Sequence, residues 1–155
     1  MDAARKAGMP VIVVQQTAPA SSQLREHYLR KLLPGAYPEI NHAQWLQART
    51  IDRLTVVGYM AHNCVASTIN HALHNGTAAE FLHDASGAVP YSNQAGAASA
   101  EEIHRVFCGV LQSRFAAVMS AQEWGRSVET GAVPVRDSIY MSNQRARVLL
   151  QDATC

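Results

Sequence analysis

Short runs of apolar residues predict four β-strands, at positions 9–15, 54–60, 79–83 and 115–119. The first run, MPVIVVQ, is continuous and rich in β-branched residues, a pattern typical of a strand buried on both faces of a parallel sheet. A weaker pattern predicts a further short strand at 27–31. The chain is therefore expected to build most of its core around parallel strands.

Polar residues with N-capping chemistry mark the starts of the predicted helices. Ser99 stands three positions before Glu102, and Ser120 stands three positions before Glu123, which is the spacing of a capping box. Asn63 is placed to cap another helix in the same way. These signals predict helices that begin at about 99 and 120, in addition to the one that follows Asn63.

Two further segments complete the predicted organisation. A helix is expected at 41–49, and the helix after position 63 is expected to end at Asn75-Gly76, a C-terminal capping pair. Residues 131–155 show no strong periodicity and are predicted to form an extended arm. The arm is assigned separately from a domain at 1–130, and it is a candidate contact with another subunit.

The alternation of strands and helices predicts the α/β fold class. We expect three layers in a doubly wound, Rossmann-like arrangement, with a mainly parallel sheet and helices on both of its faces. A chain of 155 residues fits one such domain.

Composition excludes several classes of partner. Charged residues make up 16% of the chain and the formal net charge is +1, without a basic block that would indicate nucleic acid or an anionic membrane. No apolar run approaches the roughly 18–20 residues of a membrane span. Cys64, Cys108 and Cys155 are odd in number and far apart, which indicates free thiols in a reducing cytoplasm.

Cys64 lies at the joint between a predicted strand and a predicted helix, in RLTVVGYMAHNCVASTINHALHNG. In open parallel sheets, ligands bind beyond the carboxyl ends of the strands. Backbone N–H groups and the helix dipole there favour an anion, and the thiolate is the reactive form of cysteine. Two interpretations remain open from position alone: Cys64 is a nucleophile, or it fills the core as free cysteines often do.

The residues around Cys64 resemble the signature of the isochorismatase-like cysteine hydrolases, the superfamily that includes nicotinamidases. The resembling stretches are VVGYMAHNCVASTINHAL, EFLHDASGA and AGMPVIVVQQ, and the resemblance is strongest over 43–119. It implies that Cys64 is the nucleophile. By the same resemblance Lys31 is the family lysine, which stabilises the thiolate and the charge formed during attack. Tyr37 would then line the substrate pocket.

The resemblance also implies a particular backbone arrangement at the site. A non-proline cis peptide is expected between Tyr59 and Met60, and the N–H groups of Met60 and Cys64 are expected to form the oxyanion hole. His62, beside the turn, is a candidate substrate contact or else a solvated turn residue.

The sequence departs from the family in one respect that affects both fold and chemistry. The family aspartate lies at the end of a first strand, and the residues here begin with MDAARKAG, the end of a helix, so that strand and its aspartate are not found. Asp84 resembles a structural cap. Three arrangements are open: the flanking strands close up, a second copy fills the gap, or the natural protein has upstream residues.

The predicted function is hydrolysis of a small amide, or a related C–N or ether substrate, by a thiolate nucleophile. No metal and no cofactor are expected, and a homo-oligomer, dimer or tetramer, is expected from the resemblance. The alternative is a truncated, inactive homologue that retains the fold for assembly or binding. A redox-active thiol is a third, weaker hypothesis, because no resolving cysteine lies near Cys64 in sequence.

Overall fold

The computed structural model describes residues 1–16, 27–31 and 42–152 of the chain. Its strands are β1 (Ile12–Gln16), β2 (His27–Lys31), β3 (Arg53–Tyr59), β4 (Ala78–Gly87), β5 (Tyr91–Asn93), β6 (Gly96–Ala98) and β7 (Ala117–Met119). Its helices are α1 (Asp2–Lys6), α2 (His42–Gln47), α3 (Ala66–His74), α4 (Ala100–Val110), α5 (Ala121–Thr130) and α6 (Ile139–Asp152). π-Helical turns precede α3, at Ala61–Val65, and follow α4, at Leu111–Phe115.

The strands form two parallel sheets and one hairpin. β3, β4 and β7 make a three-stranded parallel sheet with β4 in the centre, and β1 pairs in parallel with β2. β5 and β6 form a separate antiparallel hairpin. The predicted α/β class with a mainly parallel sheet is confirmed.

The central strand β4 is buried on both faces because its side chains alternate between two apolar clusters. Ala79 and Phe81 pack on one face against Ile69 of α3 and Leu111 of the second π-helical turn. Phe81 and Ile69 are fully buried, so this cluster is the centre of the core.

The opposite face of β4 meets a different layer of helices. Leu82 packs there with Met119 of β7 and Trp124 of α5, and Ala4 of α1 lies against the same cluster. Helices therefore cover both faces of the three-stranded sheet, as predicted for a doubly wound fold.

The capping boxes confirm the predicted helix starts. The Ser99 hydroxyl accepts the Glu102 N–H at 3.2 Å while the Glu102 carboxylate accepts the Ser99 N–H at 2.8 Å. The same pair of bonds joins Ser120 and Glu123. Asp84, predicted to be a structural cap, accepts the N–H of the first residue of α5 through Oδ1 at 2.8 Å. Its carboxylate thus ties the middle of β4 to the start of α5.

Three local predictions are wrong. Residues 139–152 form α6 rather than an extended arm. Asn63 does not cap a helix, because the helical path begins earlier, at Ala61, and Met60 occupies the N-cap position. The strand predicted at 79–83 is too short, because β4 continues to Gly87 and the β5–β6 hairpin follows.

The two parallel sheets do not close up into one. Among the described strands, β1 hydrogen-bonds only to β2, and β3 only to β4. Ile12 of β1 and Leu54 of β3 nonetheless pack against the same buried pair, Leu46 and Ala72. The helical layer therefore links the sheets, and direct pairing of their edges is not the arrangement that the structure adopts.

A buried carboxylate connects β3, β4 and α5. Glu80 is 3% exposed and lies opposite Thr55 in the β3–β4 register. Its Oε2 accepts the Thr55 hydroxyl at 2.7 Å and the Trp124 indole N–H at 3.1 Å, and its Oε1 pairs with Arg53 at 3.2 Å. Burial of a charge is costly unless it is paired and hydrogen-bonded, and Glu80 meets both conditions.

We expect Glu80→Ala to lower the free energy of unfolding by about 3 kcal/mol, because it leaves the Thr55 hydroxyl and the Arg53 charge without their acceptor and removes one of the two acceptors of the Trp124 indole N–H. Glu80→Gln keeps an acceptor for the neutral donors and should cost about 1 kcal/mol. Urea denaturation measures both values. Glu129→Gln, on the exposed end of α5, is the matched control and should stay within about 0.5 kcal/mol of wild type. Equal stability of Glu80→Ala and the control would contradict this role.

Candidate active site

The candidate site is built where β3 ends. Gly58 has φ of +124°, a conformation that side chains with a Cβ rarely adopt, and the next peptide bond, Tyr59–Met60, is cis. Met60 is extended, with φ of −107° and ψ of 139°, and the chain then enters the π-helical turn Ala61–Val65. The chain thus reverses from strand to helix within three residues, at the bond where the resemblance implies a cis peptide.

Cys64 is held in this turn between two core residues. Ala61 is 0% exposed and Val65 is 4% exposed, and both belong to the cluster around Phe81. Cys64 itself is half-buried and is not part of a disulfide bond. The Thr68 hydroxyl donates to the Cys64 carbonyl at 2.8 Å. The turn is therefore anchored on both sides of the cysteine while the thiol remains partly accessible.

The carbonyl of Met60 closes the turn. It accepts the N–H groups of Asn63 at 3.0 Å and Val65 at 3.3 Å. Residues 60–65 are thereby fixed as one unit, and the orientation of the backbone at Cys64 is fixed with them.

The extension of β4 supports the same turn from the neighbouring strand. The β3–β4 register shifts between Val56 and Gly58, and the Gly58 N–H then donates to the Ser86 hydroxyl at 3.2 Å. The Tyr59 ring lies against Gly87, where an added Cβ would stand 3.4 Å from the ring carbons, and its hydroxyl donates to the Ala88 carbonyl at 3.2 Å. The end of β4 thus positions Tyr59, although this residue is 62% exposed.

His62 connects the turn to the β5–β6 hairpin and to α4. Its Nε2 lies 2.9 Å from the Tyr91 hydroxyl, and the two rings meet edge to face with centroids 5.0 Å apart. The Phe107 ring is 5.9 Å from the imidazole on another side. Burial lowers the pKa of His62, and its Nδ1 is buried without a hydrogen-bond partner among the described residues. The neutral imidazole is therefore favoured in the folded protein.

The remaining predicted residues lie at or beyond the limits of the described structure. Lys31 is the last residue of β2, opposite Gln16 in register, so its backbone stands at the carboxyl end of the smaller sheet; its side chain is outside the described part. Tyr37 and Cys155 lie wholly outside the described residues. Within residues 1–16, 27–31 and 42–152, no group of three or more His, Cys, Asp or Glu side chains could hold a metal ion.

Cys108 differs from Cys64 in its surroundings. It packs against the main core cluster, and burial raises the pKa of its thiol. Its sulfur lies 3.7 Å from Nε2 of His104, which is also 3.0 Å from the His83 carbonyl oxygen. Cys108 is thus a natural internal reference for the reactivity of Cys64.

Sequence reasoning missed Tyr91 and Phe107 as neighbours of the candidate site. Tyr91 reaches it because β5 and β6 form a hairpin, in which Tyr91 pairs with Ala98 and Gly96 has φ of +144°. The sequence does contain a signal for this hairpin, because Asn93 and Gly96, two residue types common in turns, follow Tyr91. That signal predicts a hairpin but does not say which surface the hairpin packs on.

Comparison with known proteins shows which proteins this chain is similar to in sequence and in structure. A family model for the isochorismatase domain matches residues 23–123. The crystal structure of a protein assigned as an isochorismatase from Burkholderia xenovorans LB400 is 55% identical, with a TM-score of 0.91 over 97% of this chain and 81% of that chain. A search of curated proteins found no match.

More distant solved structures share the fold. An isochorismatase from Pseudomonas putida KT2440 is 25% identical, with a TM-score of 0.72 over 79% of this chain and 72% of that chain. A cysteine hydrolase from Pseudomonas syringae pv. phaseolicola 1448A is 21% identical, with a TM-score of 0.77 over 83% of this chain and 76% of that chain.

The lowered pKa of His62 predicts a pH dependence of stability. The folded protein binds a proton at His62 less readily than the unfolded chain does, because histidines in an unfolded chain titrate at about 6.5. Protonation of His62 should therefore lower the free energy of unfolding as pH falls below about 6.5. His62→Phe should reduce the loss of stability between about pH 7.5 and 5.5, measured by urea denaturation. His71→Gln, on the exposed side of α3, should leave the wild-type loss in place. An identical loss in His62→Phe and wild type would refute the assignment.

Proposed function

Because the chain belongs to the isochorismatase family of hydrolases, we propose that it hydrolyses a small amide, or a related C–N or ether substrate, with Cys64 as the nucleophile. The observation that supports this most strongly is the position of Cys64. It is half-buried in a rigid turn beyond the carboxyl end of β3, where parallel sheets bind ligands. The cytoplasm is the proposed location, since neither Cys64 nor Cys108 forms a disulfide bond.

In the proposed reaction the Cys64 thiolate attacks the carbonyl carbon of the amide. The carbonyl oxygen takes up the negative charge, and the backbone N–H groups of Met60 and Cys64 are the proposed donors to it. The C–N bond then breaks, the amine leaves with a proton taken from water, and a thioester to Cys64 remains. Water hydrolyses the thioester and releases the acid, so the cycle needs no metal and no cofactor.

Lys31, Tyr37 and His62 have supporting roles in this proposal. Lys31 would stabilise the thiolate and the developing negative charge, which suits a cation at the carboxyl end of β2. Tyr37 would line the substrate pocket. His62 is proposed as a substrate contact, because it lies in the same π-helical turn as Cys64.

The experiment is a hydrolysis assay with a panel of small primary amides, detecting released ammonia. We expect Cys64→Ser to lower kcat by about a thousandfold or more, because a serine hydroxyl lacks the acidity of a thiol. Cys108→Ser is the matched control and should keep activity within about twofold. Retained activity in Cys64→Ser would contradict the nucleophile assignment.

The alternative function is that of an inactive homologue that keeps the fold for assembly or binding. The observation that favours it is the separation of the two parallel sheets, which leaves one edge of β1 and one edge of β3 without a strand partner among the described residues. Absence of activity towards the whole panel, combined with an unreactive Cys64, would select this alternative.

We further propose that the segment after 131 contacts another copy of the chain in a dimer or tetramer. Val133, Val135 and Tyr140 are exposed, and so are Val148 and Leu149 at the far end of α6. A helix of this length is marginal in water without packing partners. Burial of these side chains against a second copy would supply the missing stabilisation.

A double substitution, Val148→Glu with Leu149→Glu, should therefore shift the protein towards the monomer mass in light scattering coupled to gel filtration, because two charges cannot be buried without partners. Val106→Glu introduces a charge at a similarly exposed valine of α4 and should leave the mass unchanged. A wild-type mass equal to one chain would rule out this contact.

A further inference from the structure

A cavity of about 440 Å³ lies at the end of α3 that is remote from Cys64. Cys64 stands two residues before Ala66, the first residue of α3, and His74 is the last residue of that helix. At about 1.5 Å per residue, the nine residues of α3 separate the two places by more than 10 Å. The cavity is lined by Leu73, His74, Ser113, Arg114, Arg136, Asp137, Ser138 and Ile139.

Two arginines give the cavity an excess of positive charge. Arg114 follows α4 in the second π-helical turn, and Arg136 precedes α6, so separate elements bring them to the same cavity. Neither guanidinium has an acidic partner among the residues that the structure describes. A guanidinium offers a fork of N–H donors that matches a carboxylate or a phosphate.

Asp137, the one acidic residue among the described lining residues, does not cancel this charge. Its Oδ1 accepts the Ser138 N–H at 2.8 Å, and its Oδ2 accepts the Ser142 hydroxyl at 2.7 Å. The same Oδ2 forms an ion pair with Arg145 of α6. Its carboxylate is therefore neutralised by a third arginine outside the lining, and Arg114 and Arg136 keep their net charge.

The N-terminus of α6 opens onto the same cavity. The Ser138 hydroxyl accepts the Met141 N–H at 3.2 Å, while Ile139, the first residue of the 14-residue helix, lines the cavity. A helix N-terminus presents N–H groups and a partial positive charge. The helix end therefore adds to the attraction that the two arginines already exert on an anion.

We propose that this cavity binds a small molecule that carries a carboxylate or phosphate group, held by Arg114 and Arg136 at the N-terminus of α6. Asp137 fixes the start of α6 relative to the second π-helical turn. Its N–H donates to the Gln112 carbonyl at 2.9 Å, and its carboxylate accepts the Ser142 hydroxyl of α6. The site shares no residue with the proposed catalytic turn, so it stands whether or not Cys64 is a nucleophile.

The test is a titration of the full chain with inorganic phosphate and, separately, with citrate, followed by the backbone amide resonances of Ile139 and Tyr140 at constant ionic strength. Saturable shifts with either anion support the site. Phosphate alone would identify a phosphorylated ligand, and citrate alone would identify a polycarboxylate.

The variant Arg114→Gln with Arg136→Gln should weaken the binding by roughly tenfold or more, since charge-assisted hydrogen bonds are lost. Arg126→Gln, an exposed arginine of α5, is the matched control and should bind as wild type does. If the double variant fails to fold, each single variant should weaken binding at least about threefold. Shifts that do not saturate, or binding that the arginine substitutions leave intact, would overturn the proposal.

Discussion

The buried carboxylate of Glu80 is the constraint on which the arrangement of the larger sheet depends. A charge that is 3% exposed needs its partners in place, and those partners come from β3 and α5. The strand register that places Thr55 opposite Glu80 is therefore coupled to the docking of Trp124. Sliding β3 along β4 by one residue would leave the carboxylate facing the wrong side chains.

That register also determines where β3 ends and where the candidate site stands. Beyond Val56 the strands shift relative to one another, and Ser86 and Gly87 of β4 then hold Gly58 and Tyr59. The π-helical turn follows, with its two buried side chains in the core and Cys64 between them. The position of Cys64 thus follows from the packing of the sheet, and the hairpin brings Tyr91 into contact with His62 of the same turn.

Local patterns in the sequence predicted the elements that depend on local interactions. The capping boxes at Ser99 and Ser120 were predictable because both partners lie within four residues, and β4 was predictable from its apolar run. The contact between His62 and Tyr91 joins residues 29 apart, and no local pattern specifies it. The sequence did not predict α6, because its apolar side chains are distributed around the whole helix and do not form one stripe. The apolar residues therefore show no helical periodicity. The family resemblance, by contrast, located Cys64 because the strand–turn–helix motif is contiguous.

The proposed role of Cys64 as nucleophile is tested most directly by competitive alkylation with iodoacetamide, followed peptide by peptide with mass spectrometry. At about pH 7 Cys64 should react at least roughly tenfold faster than Cys108, whose pKa burial raises, and Lys31→Ala should reduce this advantage. If Cys64 reacts no faster than Cys108, in wild type and in Lys31→Ala alike, the assignment of Cys64 as the nucleophile is contradicted.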